Sequence, residues 1–490
     1  MSNETNRSPA PAPTRAAALR DRLNKLRRWP GNLWRRTWRQ ILHPSTWRRR
    51  AGKVGLFLAV VLALLAGVGV AFAAYGALRL ITPVDASKTA AEIDVTRVAL
   101  TMVAGVGGVV ALVIAYRRQR DLEQSRFVER FGAAAAQLGA TDVAVRIAGV
   151  YAMSGVADES DGQRRQQCID VLCGYLRLPY DAEHGASGRT KLVIKTQREA
   201  GDETEEHIEY RQNDREVRAT IIRVIADHLH PTAEQSWSDY HFDFRTAHLE
   251  NVDLSGVVLR GLARFDNATF YGTANFRYTD FSNLAAFHKA TFHGTANFRY
   301  TDFSNLAAFH KATFHGTANF HHATFSAAAF DLATFHGRAT FRGATFSGPS
   351  EFTGAVFKRF AAFDWATFSE PASFSKAAFA DLTVFNNAIF TGTNSFANAS
   401  FSIEAKFREV TFSRAVTFRG ATFSGPVDFT RVAFSGPTDF SAVEFGNQPV
   451  TFANPKQWGP PPPVFDWAEV EHKPPNVNPQ DWPPTASSTP

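Results

Sequence analysis

The chain has 490 residues and a net charge of +7, with 53 Lys and Arg against 46 Asp and Glu. That length exceeds one ordinary domain, and two cysteines, Cys168 and Cys173, are too few for a small secreted fold built on disulfides. The charge is uneven: residues 1–53 hold fourteen Lys and Arg against Glu4 and Asp21, more than the whole excess.

Residues 1–53 read as a basic, partly disordered cytoplasmic arm. Its first fourteen residues are rich in Pro, Ser and Asn. Trp29, Trp34, Trp38 and Trp47 alternate with arginines, a pattern suited to an anionic lipid surface; nucleic acid is the other partner such an arm fits.

Residues 54–116 read as a transmembrane helical hairpin. Residues 54–78 are 25 consecutive uncharged residues, and 98–116 are nineteen more. Either run crosses a hydrocarbon core of about 30 Å as a helix. A signal peptide is the competing reading of the first run, but the run is too long and follows a long basic leader. Gly105, Gly107 and Gly108 permit close approach of two helices. Basic residues flank the pair outside, and the loop 79–97 nets zero. Both termini are therefore expected in the cytoplasm of a multi-pass plasma-membrane protein.

Residues 117–243 read as a small α-helical connector. Gly139 marks a helix end, and Thr141 or Asp142 can cap the next helix, whose stripe is Val143, Ile147, Val150, Tyr151 and Ser154. A third stripe uses Ile169, Leu172, Cys173 and Leu176. Residues 182–212 read as a loop or weak hairpin. A last helix carries Val217, Ile221, Val224, Ile225 and His228, and ends at His230-Pro231. The cysteines, five apart, share no helical stripe and read as buried thiols.

From 265 to 445 phenylalanine sets the pattern, with 35 of the chain's 43 copies. From Phe265 the in-register steps are all five or six residues, in near-strict alternation, and a small residue, usually Ala, stands two before each Phe. Neither a helix nor a plain strand has that period; a flat-sided coil does. Residues 276–297 and 298–319 are identical over 22 positions, which makes four steps one turn, although an eleven-residue unit also divides 22. Dividing 265–445 by that turn gives about eight coils, a rod of roughly 40 Å. Phe325, Phe330 and Phe335 are successive fives, so one coil omits the extra residue, which elsewhere reads as a bulge on two of four sides.

On these residues the sequence resembles the pentapeptide-repeat family over about 244–445. Residues 244–259 carry the leucine form, with Phe244, Leu249, Leu254 and Leu259 five apart. The resemblance implies a right-handed quadrilateral parallel β-helix, here over 244–452, with a departure from the family's twenty residues per turn. The whole chain is thus α+β and multidomain. Residues 453–490 read as a Pro-rich cap and tail: Trp458, Phe465 and Trp467 can plug the last coil. Pro460–Pro463 stop the ladder or offer a polyproline ligand, and residues from about 470 are unstructured.

No nucleophile–base set, phosphate loop or zinc-protease motif occurs, so no catalytic, cofactor-binding or metal residue is assigned and an enzyme is not expected. Histidines cluster in the repeat. A 22-residue turn stacks His288 under His310 and His293 under His315, and each stack then ends at Leu332 or Gly337. Exposed corners copied by duplication account for them better than a metal ladder.

The expected function is a membrane-anchored, non-catalytic protein-interaction scaffold in the cytoplasm, with the lipid membrane and a protein of unknown identity as partners. The alternative comes from the resemblance: some soluble members imitate DNA and bind DNA gyrase. That role needs an acidic rod, whereas 244–445 carries 17 Lys and Arg against 15 Asp and Glu. No direct contact with nucleic acid is expected, and oligomeric state is not written in the sequence.

Overall fold

In a computed structural model of the chain, the described residues are 69, 72, 90–180, 191–197, 203–209, 214–467 and 472–486. The arm 1–53 and nearly all of the first apolar run, 54–78, lie outside them. Two compact units divide the chain at 126/127. In the first, helix α1 (Ala90–Leu138) begins, and 98–116 fall within it. Among the described residues no helix is long and apolar enough to cross a membrane; several side chains of 98–116 are outside that description.

The second unit opens with the end of α1, then α2 (Val143–Asp158), α3 (Gln163–Leu176) and α4 (Asp214–Leu229). Gly139 ends α1 by donating to the carbonyls of Ala135 and Ala136. Asp142 is the N-cap of α2, its carboxylate accepting from Ala144 N at 2.8 Å and Val145 N at 3.2 Å. Gly149 lets α2 approach α1, because a Cβ there would stand 2.7 Å from Leu138 N. The stripes of α3 and α4 are buried where the periodicity puts them: Ile169, Leu172, Cys173 and Leu176, then Val217, Ile221, Val224 and Ile225.

The α2 stripe differs from expectation. Tyr151 is 51% exposed, and Arg146, five residues earlier and on another face of the helix, is 1% exposed. An apolar period cannot signal a buried arginine whose partner is Asp214, on another helix. Between α3 and α4, strands β1 (Lys191–Gln197) and β2 (Glu203–Glu209) form an antiparallel hairpin whose register sets Lys191 opposite Glu209 and Lys195 opposite Glu205.

From Phe242 the chain winds as a parallel β-solenoid of about ten turns. Two of its sides are ten-stranded parallel sheets, and the other two share one sheet. The turn is 22 residues: Thr291 and Phe292 pair with Thr269 and Phe270 below and with Thr313 and Phe314 above. Ten turns exceed the eight expected because the leucine-form coil begins the stack and residues beyond 445 extend it.

Inside, each Phe lies flat on the Phe one turn away. One column runs unbroken from Phe244 to Phe465. In it Phe287 stacks on Phe265 at 4.7 Å and 3° and under Phe309 at 4.7 Å and 2°. Across the coil the same ring meets Phe276 and Phe298 edge-on, both at 5.6 Å, at 83° and 85°. The core is a herringbone: stacked along the axis, edge-to-face across it. Each buried ring contributes about 1.5–3 kcal/mol by leaving water, and each aromatic pair about 0.5–1.5 kcal/mol more.

The corners explain the alternation of five and six. A five-residue step closes by a tight turn: Ala268 N donates to Phe265 O at 3.0 Å, and Asn267 has φ of 56°. A left-handed residue recurs there at each second corner, eleven residues apart: Tyr278 (φ 59°), Lys289 (54°), Tyr300 (56°). A six-residue step turns over three residues, as Tyr271-Gly272-Thr273, with no such hydrogen bond. The extra residue therefore sits at two of four corners, not as a bulge on two sides. A bulge does occur once, where the residue is missing: Thr324–Ala329 runs straight through a corner, and its pairing with Asp302–Ala308 shifts between Phe303 and Leu306.

Both ends of the stack are covered. Helices α3 and α4 lie against strands Phe242–Asp243 and His248–Glu250. At the other end Phe465 stacks on Phe440 at 4.9 Å and Trp467 on Phe465 at 4.6 Å. Residues 472–486 of the tail are not unstructured as expected. Val477–Asn478 pairs with Val450–Thr451, Val477 is buried, and Trp482 packs edge-on against Phe452. Prolines had hidden this short strand.

Two substitutions test the packing. Phe352 is fully buried between Phe330 and Phe374. Phe352→Ala is expected to lower the unfolding free energy by about 3–5 kcal/mol in urea titration, and Phe352→Asp by more, since a buried carboxylate has no partner there. Gly294→Ala should also destabilise, because its Cβ would stand 1.9 Å from the backbone oxygen of Gly272; an unchanged midpoint would refute that corner geometry.

Candidate interaction surface

The helical segment is joined to the first coil through buried charge. Asp214, 5% exposed, accepts from Arg146 Nη1 at 2.7 Å, Arg218 Nε at 2.6 Å and the Tyr175 hydroxyl at 2.5 Å. Arg218 Nη1 also donates to Leu176 O at 2.9 Å and His248 O at 3.3 Å, and its Nη2 to Leu178 O at 2.8 Å. Burial, then the Asp214 carboxylate, raises the Tyr175 hydroxyl pKa, so it stays a donor. Beside this hub Glu250 accepts from Arg215 and from the Tyr180 hydroxyl, each at 2.9 Å. With these partners in place the ions hold a geometry; removing one would strand the others. This hub is what the sequence reading missed, and its one signal was polar residues at core-facing helical positions.

The two thiols are not displayed. Cys168 and Cys173 are fully buried, and burial pushes their thiols up to about 11 and about 12, away from the thiolate a nucleophile needs. Among the described residues no three His, Cys, Asp or Glu side chains are grouped to hold a metal. Between α4 and the first coil lies an open groove of about 640 Å³. Arg223, Asp227, Glu250 and Asp253 line it, three carboxylates to one guanidinium.

The repeat histidines form longer ladders than the 22-residue spacing gives. The coil with the missing residue brings His336, not Gly337, above His315, and Asp331, not Leu332, above His310. The rings of Tyr271, His293, His315 and His336 therefore stack in series at 5.0, 5.1 and 4.8 Å. His288 stacks on His310 at 5.0 Å, and His310 Nδ1 is bonded to the Asp331 carboxylate.

Burial lowers the pKa of His288, His293, His321 and His336. The next cause is a neighbouring ring for the first three (His310, His315 and His322) and Lys358 for His336. A histidine with a depressed pKa contributes stability above its unfolded value, near 6.5, and loses it as pH falls through the folded value. The melting temperature should therefore hold between pH 8 and pH 7 and fall below about pH 6.5. A variant with these four histidines changed to Asn should flatten the fall in a thermal melt series; an equally steep fall would exclude the ladders as its origin.

Outward side chains form columns one coil apart. Thr269, Thr291, Thr313 and Thr334 share one side. On the next, Asn297 Nδ2 donates to Asn275 Oδ1 at 3.2 Å, and Asn275 Nδ2 to Asp253 Oδ1 at 3.0 Å. Carboxylates do not form one acidic face: Asp243 sits with Arg177 and Arg245, Glu404 with Lys406, and Glu409 with Arg431 and Lys456.

Compared with known sequence families, the chain matches pentapeptide repeats (9 copies) at residues 254–302, 298–345, 341–389 and 418–455. No curated protein and no solved structure matches it. The solenoid is a pentapeptide-repeat domain.

Proposed function

We propose that this pentapeptide-repeat protein is a membrane-anchored, non-catalytic scaffold whose solenoid presents its outer columns to a protein partner in the cytoplasm. The observation that carries the reading is the division of labour in each coil. Inward positions are Phe, Leu, Val or small residues, while several outward columns change residue along the stack: Asn275, Asn297 and Asn319 give way to Thr340 and Ala362, and His288 and His310 to Asp331. A core of that kind gives a rigid support, and side chains that vary on it are what a partner can distinguish. Family membership favours the same role, since pentapeptide-repeat proteins often serve protein interactions.

The anchoring rests on the sequence of 54–78 and 98–116, on the basic arm before them and on the neutral loop between them. Leu112, within 98–116, is 72% exposed, as suits a side chain with lipid as its surroundings. The alternative, DNA mimicry toward DNA gyrase, is disfavoured by the paired and scattered carboxylates of the solenoid.

Extraction of native membranes at alkaline pH, which strips proteins held by charge alone, tests the anchor. The chain should remain in the pellet, and a variant lacking 54–116 should not; release of the intact chain would overturn the anchored reading. Crosslinking in the same membranes would identify the partner.

A further inference from the structure

One side of the solenoid gathers six cations around a single carboxylate, Asp364, which lies within the electrostatic reach of Arg338 and Arg342. Its floor is the short-side-chain column Asn275, Asn297, Asn319, Thr340 and Ala362. One bordering corner carries Arg277, Arg299 and Arg342, and the other Arg338, Lys358 and Arg359. Over these five coils the same strip holds one carboxylate, Asp364. Asp280, Asp302, Asp331 and Glu351 lie on other sides. Among the described residues none of the six cations makes an ion pair, whereas Arg245, Arg264, Lys406 and Arg431 do.

Four of the six lie on aromatic rings at the same corners. Arg277 is 4.7 Å from the centre of Tyr278, Arg299 5.5 Å from Tyr300, Arg338 4.5 Å from Phe360 and Arg342 4.5 Å from Trp365. Tyr278 and Trp365 are 53% and 51% exposed.

Two extended anionic partners fit unpaired cations beside rings: a single nucleic-acid strand and an anionic bilayer. A strand needs open ring faces on which bases stack. Here Tyr278 stacks on Tyr300 at 5.0 Å and Tyr300 on His322 at 5.3 Å, so those faces are occupied along the axis and ring edges face outward. Ring edges between arginines, around a floor of short side chains, suit the headgroup layer, where amphipathic rings and cations sit together.

We propose that this basic, aromatic-edged side of the solenoid docks onto an anionic lipid surface. The contact uses the solenoid's own residues and does not require the anchor of residues 54–116.

The test uses the full chain with an environment-sensitive fluorophore on Thr340→Cys, in the floor, or on Ala329→Cys, on the opposite side. Cys168 and Cys173 are buried and stay unlabelled. Vesicles of phosphatidylcholine, with and without phosphatidylglycerol, are then titrated in. The label at 340 should blue-shift only with the anionic vesicles and lose the shift in high salt, and the label at 329 should not respond. Arg299→Gln, Arg338→Gln and Arg342→Gln together should weaken that response on the order of a hundredfold, about fivefold per cation, with an unchanged melting curve. Equal shifts at 340 and 329, indifference to lipid charge, or a response to oligothymidine but not to vesicles would overturn the proposal. Retention at alkaline pH reports the anchor separately, so the two readings fail independently.

Discussion

Everything in the solenoid depends on one ring lying directly over another. A Phe stacked at under 5 Å leaves no axial slack, so each turn must return its inward residues to the same four positions. That requirement sets the 22-residue turn and forces the corners to absorb any irregularity. When one residue is missing at 326–327, the rings stay stacked (Phe303 on Phe325 at 5.0 Å), and the strand beneath bulges instead. The stack outranks the local ladder.

The same constraint accounts for residues in unfavourable backbone conformations. Tyr278, Leu332, Trp365 and Ala442 have positive φ, which costs a residue with a Cβ on the order of 1 kcal/mol. Glycine stands at the equivalent corner at Gly343, Gly354 and Gly420. The other residues are held there by the turn's hydrogen bond and by coils above and below. It also makes the ends costly, because an uncovered ring column and ladder would meet water. The helices on one end and Trp458, Phe465, Trp467 and Trp482 on the other cover them with aromatic and buried ionic contacts.

The core was legible because it is a spacing. Phenylalanines five and six apart, with a small residue two before each, give the coil, its inward face and its turn length without a template. What was not legible depends on residues that meet only in space. Many of the left-handed corners carry Tyr, Lys, Leu or Trp, which signal no turn, and Asn or Gly marks only some of them, so the sequence does not show that the extra residue sits at a corner. His336 joins the ladder through a deletion whose effect on register appears only when coils are stacked. Asp214 and Arg146 lie 68 residues apart, and each by itself spoils an apolar stripe. The basic side has the same character, since its cations are spread through four separate coils.

The central claim, that one 22-residue turn is an interchangeable unit of the stack, has a direct test in the chain's own duplication. Deleting 298–319 removes one whole copy and leaves every junction sequence unchanged. Deleting 300–319 removes twenty residues and breaks the register. On this account the first variant melts cooperatively near the parent temperature in circular dichroism, while the second melts far lower or without a transition. Equal damage from both deletions, or better tolerance of the twenty-residue one, would contradict it.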